Sequence, residues 1–470
     1  MITRLEITGF KSFDDFSIDL APFVVVAGLN GAGKSNLFDA ILLLSRLAEA
    51  DIRTAFSGQR GEAHELFMQE ADGSYTREMT FAVEMLVDRK VRDTWGSEAE
   101  LKYTRLRYVL CIERRQDQRG IERLFVKQEE LTAVKRSEDH WYKRYIGAGN
   151  AHWQVPVTGG RAPFISTTTE NGIATVYLHQ DKGSRGRPRP VADLESTMLS
   201  GVTNTEFPHA LAVREELRNW HFLQLNPVEL SKPAPKFTAS EVMQSDGTGL
   251  ASALYRIKVE NPVALKDIAR EMAALIPGIK TLDVEEDLVE KKYIVKVGME
   301  DGRFFTSRVL SEGTLRLLAL TTLKNDEKHR GVLCFEEPEN GVNPMRIKPV
   351  IRLLRDLSTD FEREAEAPYP ARQVLINTHS PVLVGEVCKM AGIERWGLIL
   401  FARLNTKVRP GRKIQHTSIS PVELSPQTQL YPMDRGHTGT RRINQQELVR
   451  YLETAQFEEA LEIIAAGQNG

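Results

Sequence analysis

The chain has 470 residues, long enough for two or three domain-sized units with a large buried core. Its apolar share of 41% and charged share of 27% are those of an ordinary globular protein. A formal net charge of -2 excludes a global field that would draw it onto nucleic acid or anionic lipid, so such a contact needs a local patch.

The opening Met-Ile-Thr-Arg-Leu-Glu lacks the basic-then-apolar order of a secretory signal. The longest apolar stretch near it, Ala40 to Leu44, is far shorter than a membrane span. The three cysteines, Cys111, Cys334 and Cys388, lie far apart with no Cys-x-x-Cys pair, which points to neither a disulfide framework nor a zinc site. The expected place is a reducing cytoplasm, with no membrane partner.

Residues 2–8 alternate apolar and polar, the period of a half-buried strand, and Phe16 to Leu20 repeats it. Phe23 to Ala27 is a continuous Val-rich run that fits a strand buried on both faces. From Ser35 the apolar spacing becomes helical and predicts a helix to about Ala50. Strands are predicted over Met79 to Leu86, Arg107 to Ile112, Leu124 to Val126 and Ala174 to Leu178, separated by polar turns. The basic, Gly- and Pro-rich Lys182 to Pro190 reads as a mobile loop. Helices follow at Glu206 to Trp220 and Pro262 to Leu275, then strands at Thr281 to Val284 and Lys292 to Val297. A helix from Glu312 to about Thr322 precedes a buried strand, Val332 to Phe335. A helix from Met345 to Leu357 and the strand Val374 to Asn377 complete that part, and the tail mixes short strands with a helix over Asn444 to Ala465. No repeat or sustained heptad pattern is present.

Four segments carry chemistry. Gly28-Leu-Asn30-Gly31-Ala-Gly33-Lys34-Ser35 fits the Gly-x4-Gly-Lys-Ser phosphate loop and sits between a buried strand and a helix. Glycines let backbone N–H groups point at phosphates, and the helix N-terminus favours the negative charge. Lys34 is expected to bridge the β- and γ-phosphates, and the Ser35 hydroxyl to bind Mg²⁺. Val332-Leu-Cys-Phe-Glu336-Glu337 delivers two acids to the carboxyl end of a strand. Glu336 is assigned to the Mg²⁺ shell, and Glu337 to orienting and deprotonating the attacking water. Leu310-Ser311-Glu-Gly313-Thr314 starts a helix; read locally it is an ordinary N-cap, but it also offers a hydroxyl and N–H groups to an anion. Asn377-Thr-His379-Ser380 follows a strand, where a histidine can reach a γ-phosphate.

In this order the four segments resemble the ABC-type ATPases of the SMC, RecF and OLD branch. Gly33 to Ile41 is similar to the "GKSN…DAI" run of those proteins, and Ile7 to Phe13, with Lys11, to their "NFKSF" strand. Leu310 to Thr314 resembles the signature, Asn377 to Ser380 the H-loop, and Glu336 to Gly341 the "EEPE" Walker B and D-loop of RecF-like ATPases. Ser245 to Leu250 is like a further run of that subfamily. The signature reads Ser-Glu-Gly-Thr where Ser-Gly-Gly-Gln is usual, Glu336 replaces the aspartate common in transporters, and Asn343 stands where histidine is frequent. Gln59 and Gln69 are both candidates for the Q-loop, and neither is assigned.

The resemblance implies an α/β fold: an ABC-type ATPase head with a mixed central sheet flanked by helices, an inserted β-rich and helical region, and no coiled-coil arms. The expected divisions are an N-terminal lobe over 1–90, a β-rich insertion over 91–200, a helical lobe over 201–325, a C-terminal lobe over 326–400 and an extension over 401–470. It also implies a head-to-tail dimer or higher homo-oligomer. ATP with Mg²⁺ would be held by Lys11, Gly28, Asn30, Gly31, Gly33, Lys34, Ser35 and Asn36 of one chain and by Ser311 and Gly313 of the other. Lys34, Glu337 and His379 would be catalytic, His379 as the γ-phosphate sensor.

A GTPase base reader is missing, since Asn405-Thr-Lys-Val lacks the aspartate, and the gap from phosphate loop to signature is long for a transporter motor. After His379 the only aspartate is Asp434, which argues against a TOPRIM-type nuclease within the chain. The expectation is therefore an ATPase that controls a separately encoded nuclease or toxin, as in the anti-phage systems Septu and PARIS, with DNA or a phage protein as trigger. The alternative is a RecF-like DNA-repair ATPase, for which Lys182 to Pro190 and Arg114 to Arg123 are the possible DNA contacts. Acids interleaved with those arginines favour a solvated face.

Overall fold

The computed structural model describes residues 1–116, 120–146, 162–170, 173–181, 186–237, 242–343, 346–361, 371–409, 412–423, 443–444, 448, 450 and 453. The chain forms two compact units: one of Met1–Trp220, Asp360–Ala371 and Gly392–Gly470, the other of His221–Thr359 and Arg372–Ala391.

In the first unit the alternating strand Ile2–Thr8 turns its apolar residues inward, where Ile2, Leu5 and Ile7 are fully buried. It belongs to an eight-stranded antiparallel sheet. The spatial order is Arg187–Pro190, Ile173–Leu178, Ile165–Glu170, Glu122–Ala133, Arg105–Gln116, Glu78–Leu86, Ile2–Thr8 and Phe16–Asp19. The strand Phe23–Ala27 is buried along its whole length and pairs in parallel with Gly397–Arg409. That strand forms a long antiparallel hairpin with Arg412–Glu423. The helix Lys34–Leu47 follows Phe23–Ala27 through the Gly-rich loop.

A buried carboxyl ties the large sheet to that helix. Glu129 is fully buried and accepts hydrogen bonds from the amides of Met198 (2.6 Å) and Leu199 (3.0 Å) and from the Tyr108 hydroxyl (3.0 Å). Thr197, one residue before, donates its hydroxyl to the carbonyl of Leu47 at the helix end.

In the second unit the strands Gly331–Glu336 and Arg372–Thr378 run parallel, with Glu336 opposite Asn377. Helices Leu250–Glu260, Pro262–Leu275, Glu312–Asn325, Ile347–Leu357 and Pro381–Cys388 belong to this unit, with a smaller antiparallel sheet around Ile279–Asp287 and Lys292–Met299. Arg372 donates to the carbonyls of Lys324 (2.9 Å), Asp326 (2.7 Å) and His329 (2.9 Å), fixing the end of Glu312–Asn325.

Most predicted elements lie where their periodicity put them. Three differ. Arg187–Pro190 is a strand, not a loop: it occupies the edge of the sheet, where prolines lacking an N–H are tolerated. Residues 182–185 of that basic segment lie outside the described residues. The tail strands are long, at 13 and 12 residues, because they pair with each other along their length. Asn444 closes the short strand Ile443–Asn444 instead of opening a helix, and most of the predicted terminal helix lies outside the described residues, as does Asp434. Among the described residues the longest helices have 14 residues, too short for a coiled-coil arm, and none is long and apolar enough to cross a membrane.

Candidate functional site

The first cluster is built around the Gly-rich loop of the first unit. Gly33 has φ +86°, and a Cβ there would stand 1.9 Å from the Thr417 hydroxyl oxygen. A Cβ on Gly28 would stand 2.6 Å from the carbonyl of Ala402. Only glycine fits either position. Lys34 is 6% exposed, and its ammonium donates back to the loop carbonyls of Gly28 (2.6 Å) and Leu29 (2.7 Å). Asn30 and Gly31 are exposed at the loop crest, and Ser35 and Asn36 open the helix half-buried. The Asn36 amide donates to the Ser12 hydroxyl at 2.7 Å. Lys11, at φ +47°, donates to Asp39 at 2.7 Å, and Arg60 bonds the same carboxylate.

The second cluster lies in the other unit, at the carboxyl ends of its two parallel strands. Glu337 follows Gly331–Glu336 at φ +49°, a left-handed conformation costly for a side chain with a Cβ. Its amide donates to the carbonyl of Asn377 at 2.8 Å. Its carboxylate meets His379 Nδ1 at 2.8 Å on one oxygen and accepts from the Asn340 amide at 2.6 Å on the other. A carboxylate only accepts, so Nδ1 carries the hydrogen of that contact. Both side chains remain about one-third exposed, at 33% and 32%, so water can reach the pair.

Around this pair the turn is anchored. Thr378 accepts from the amide of Ser380 at 3.0 Å and donates to Glu339, whose carboxyl is pushed up by burial. Ser311 caps the helix Glu312–Asn325, accepting from the amide of Thr314 at 3.3 Å. A Cβ on Gly341 would come within 3.1 Å of Arg316, and one on Gly313 within 3.4 Å of the carbonyl of Gly341, so the turn after Glu337 packs on the start of this helix.

Glu337 and His379 are thus brought together, and Glu336 meets a residue that sequence reasoning missed: Gln224, whose amide donates to its carboxylate at 3.3 Å. Nothing in the run around Gln224 marks it. Asn340 was also missed, although it lies three residues after Glu337, the reach of a single turn. Of the two glutamines considered earlier, Gln69 is exposed and donates to the carbonyl of Gly73. Gln59 is half-buried, its side-chain amide without a hydrogen-bond partner among the described residues. Ser35 in the first unit and Glu336 in the second each carry a hard oxygen donor, the type of group that Mg²⁺ takes. Of the arginines between Arg114 and Arg123, Arg114 pairs with Glu122 (3.5 Å) and Arg115 with Glu113 (2.9 Å) within the sheet, Arg123 pairs with Glu195 (3.4 Å), and Arg119 lies outside the described residues.

Two family models match the chain. Residues 226–385 match "AAA domain, putative AbiEii toxin, Type IV TA system", and residues 4–137 match "AAA domain". Among solved structures, the SMC head bound to the C-winged helix domain of ScpA aligns at 13% identity and TM-score 0.46, covering 89% of this chain and 97% of that one. The SMC head domain from Thermotoga maritima aligns at 12% identity and TM-score 0.37, covering 90% and 99%. The Pyrococcus furiosus Smc head with an extended coiled coil aligns at 12% and 0.41, covering 89% and 96%. Likenesses this loose carry no residue correspondence. No curated protein matches significantly. The phosphate loop lies inside one matched AAA-domain stretch, and the signature, paired acids and H-loop segments inside the other, which supports an SMC- and RecF-like ATPase of the ABC type.

Proposed function

We propose that the chain binds ATP with Mg²⁺, hydrolyses it, and uses the nucleotide to join two copies head to tail. Gly28, Asn30, Gly31, Gly33, Lys34, Ser35 and Asn36, with Lys11, hold the phosphates of one ATP; Ser311 and Gly313 of a second chain close on its γ-phosphate. Mg²⁺, which neutralises phosphate charge, would be held by Ser35 and Glu336. Glu337 accepts the proton of the attacking water, and His379 senses the γ-phosphate.

The observation that supports this reading most is the Glu337 carboxylate held between Asn340 and His379 at the ends of two parallel strands, still open to water. Two fixed donors aim the carboxylate, as general-base work requires. The strained backbone of Glu337 points the same way, since strain persists where function needs it. The toxin–antitoxin wording of the matched model supports a defence setting, with a separately encoded nuclease or toxin as the regulated partner and DNA or a phage protein as trigger.

The test of the shared site is complementation. Lys34→Ala and Ser311→Arg chains should each be inactive alone and regain part of the wild-type ATP turnover when mixed, because one composite site is then whole. No recovery at any mixing ratio would sink the head-to-tail arrangement. Co-purification from the native operon tests the partner: a nuclease or toxin should travel with the ATPase. Salt-sensitive DNA binding by the ATPase alone would overturn that part.

A further inference from the structure

The C-terminal hairpin, which none of the four chemical segments includes, forms a wall of the phosphate loop. Its first strand brings the carbonyl of Ala402 against Gly28, and its second brings Thr417 against Gly33. Thr417 is 3% exposed, and its three nearest side-chain atoms lie 1.9–2.9 Å from where a Cβ on Gly33 would be. Its amide donates to the carbonyl of Ser12 at 2.8 Å, and its hydroxyl meets the Ser12 hydroxyl at 2.6 Å. The Ser12 hydroxyl in turn accepts from Asn36 in the first turn of the loop helix. One chain of hydrogen bonds therefore joins the turn after Ile2–Thr8, the strand Arg412–Glu423 and the helix Lys34–Leu47 around the loop.

From this geometry we propose that Thr417 is a positioning residue for the phosphate loop, acting through the Ser12 and Asn36 hydrogen bonds to hold the loop's N–H groups in the shape that receives a nucleotide's phosphates. It rests on the ATP-binding reading above. The loop's glycines make it permissive, so its shape must be imposed from outside. A hydroxyl wedge against Gly33, bonded on its far side to the residue that orients Asn36, does this without touching the nucleotide.

The experiment titrates the full chain with a fluorescent ATP analogue and measures ATP turnover and ligand-free melting in parallel. Thr417→Val keeps the shape and removes the hydroxyl; its Kd and KM should rise roughly three- to tenfold, the effect of one net hydrogen bond, with kcat within about twofold of wild type. Thr417→Ser should restore binding to within about twofold. Ser12→Ala should weaken binding like Thr417→Val, and the double variant should be no weaker than the worse single one, since both break the same link. Wild-type affinity in Thr417→Val overturns the proposal, as does a Thr417→Ser as weak as Thr417→Val. If Thr417→Val does not fold, Ser12→Ala carries the test, and wild-type affinity there is equally fatal. Failure of the ATP reading looks different: wild type then binds no analogue, or Lys34→Ala binds it as well as wild type, and the proposal falls with that reading.

Discussion

At the residue scale, the site depends on two backbone conformations. Gly33 has no room for a Cβ and a φ that other residues adopt at a cost. Gly33→Ala should therefore lose about 1–3 kcal/mol in denaturant titration, and nucleotide affinity with it. Glu337 holds a left-handed conformation in spite of its side chain. Glu337→Gln should keep ATP binding and accumulate dimer while turnover drops roughly 10²- to 10⁴-fold; an unchanged rate would mean another residue is the base. Glu337→Gly should be equally inactive but no less stable than wild type, because relieved strain offsets the bonds lost to Asn340 and His379. Glu337 and the glycine-rich loop were legible from their motifs. Asn340 and Gln224 were not, because an amide side chain has no pattern of its own until its partner is placed.

At the scale of elements, the helix Glu312–Asn325 is held at both ends. Ser311 caps its start, and Arg372, from the strand Arg372–Thr378, takes three carbonyls at and beyond its end. A cation on the carbonyls at a helix end is favourable for both hydrogen bonding and the helix dipole. Arg372→Met should lower stability by about 2–4 kcal/mol, and Arg372→Lys should recover little, since an ammonium cannot span three carbonyls as a guanidinium does. Equal stability of Arg372→Met and wild type would show that the helix end needs no cap. Elements with strong periodicity, such as Phe23–Ala27 and Pro262–Leu275, were readable directly. Arg187–Pro190 was not: its composition is that of a loop, and only the free sheet edge beside Ile173–Leu178 makes it a strand.

For the molecule as a whole, Glu129 makes stability depend on pH. Burial pushes its carboxyl up to about 7, against the pull of its three hydrogen-bond donors. Its folded value lies above its unfolded one, so its contribution is complete below about pH 4.5 and is lost as pH rises towards 7. The loss amounts to at most about 3 kcal/mol. Denaturant titrations of wild type and Glu129→Gln between pH 4.5 and 7.5 should show the extra downward slope in wild type alone. Parallel profiles would mean that Glu129 stays ionised throughout. The same residue ties the large sheet to the segment that bonds Leu47, so the variant should also loosen the far end of the loop helix.

What the sequence determined by itself was everything carried by short local patterns: the strand, loop and helix of the phosphate site, the acid-bearing strand, the capped helix start, and their order along the chain. Tertiary structure alone decided which distant groups meet. Glu337 and His379 are 42 residues apart, Gln224 and Glu336 are 112 apart, and Ser12 and Thr417 are 405 apart. Such meetings depend on strand order and register, where a one-residue slip turns every side chain to the opposite face. Periodicity along a single segment says which face is apolar, and nothing about what will stand against it.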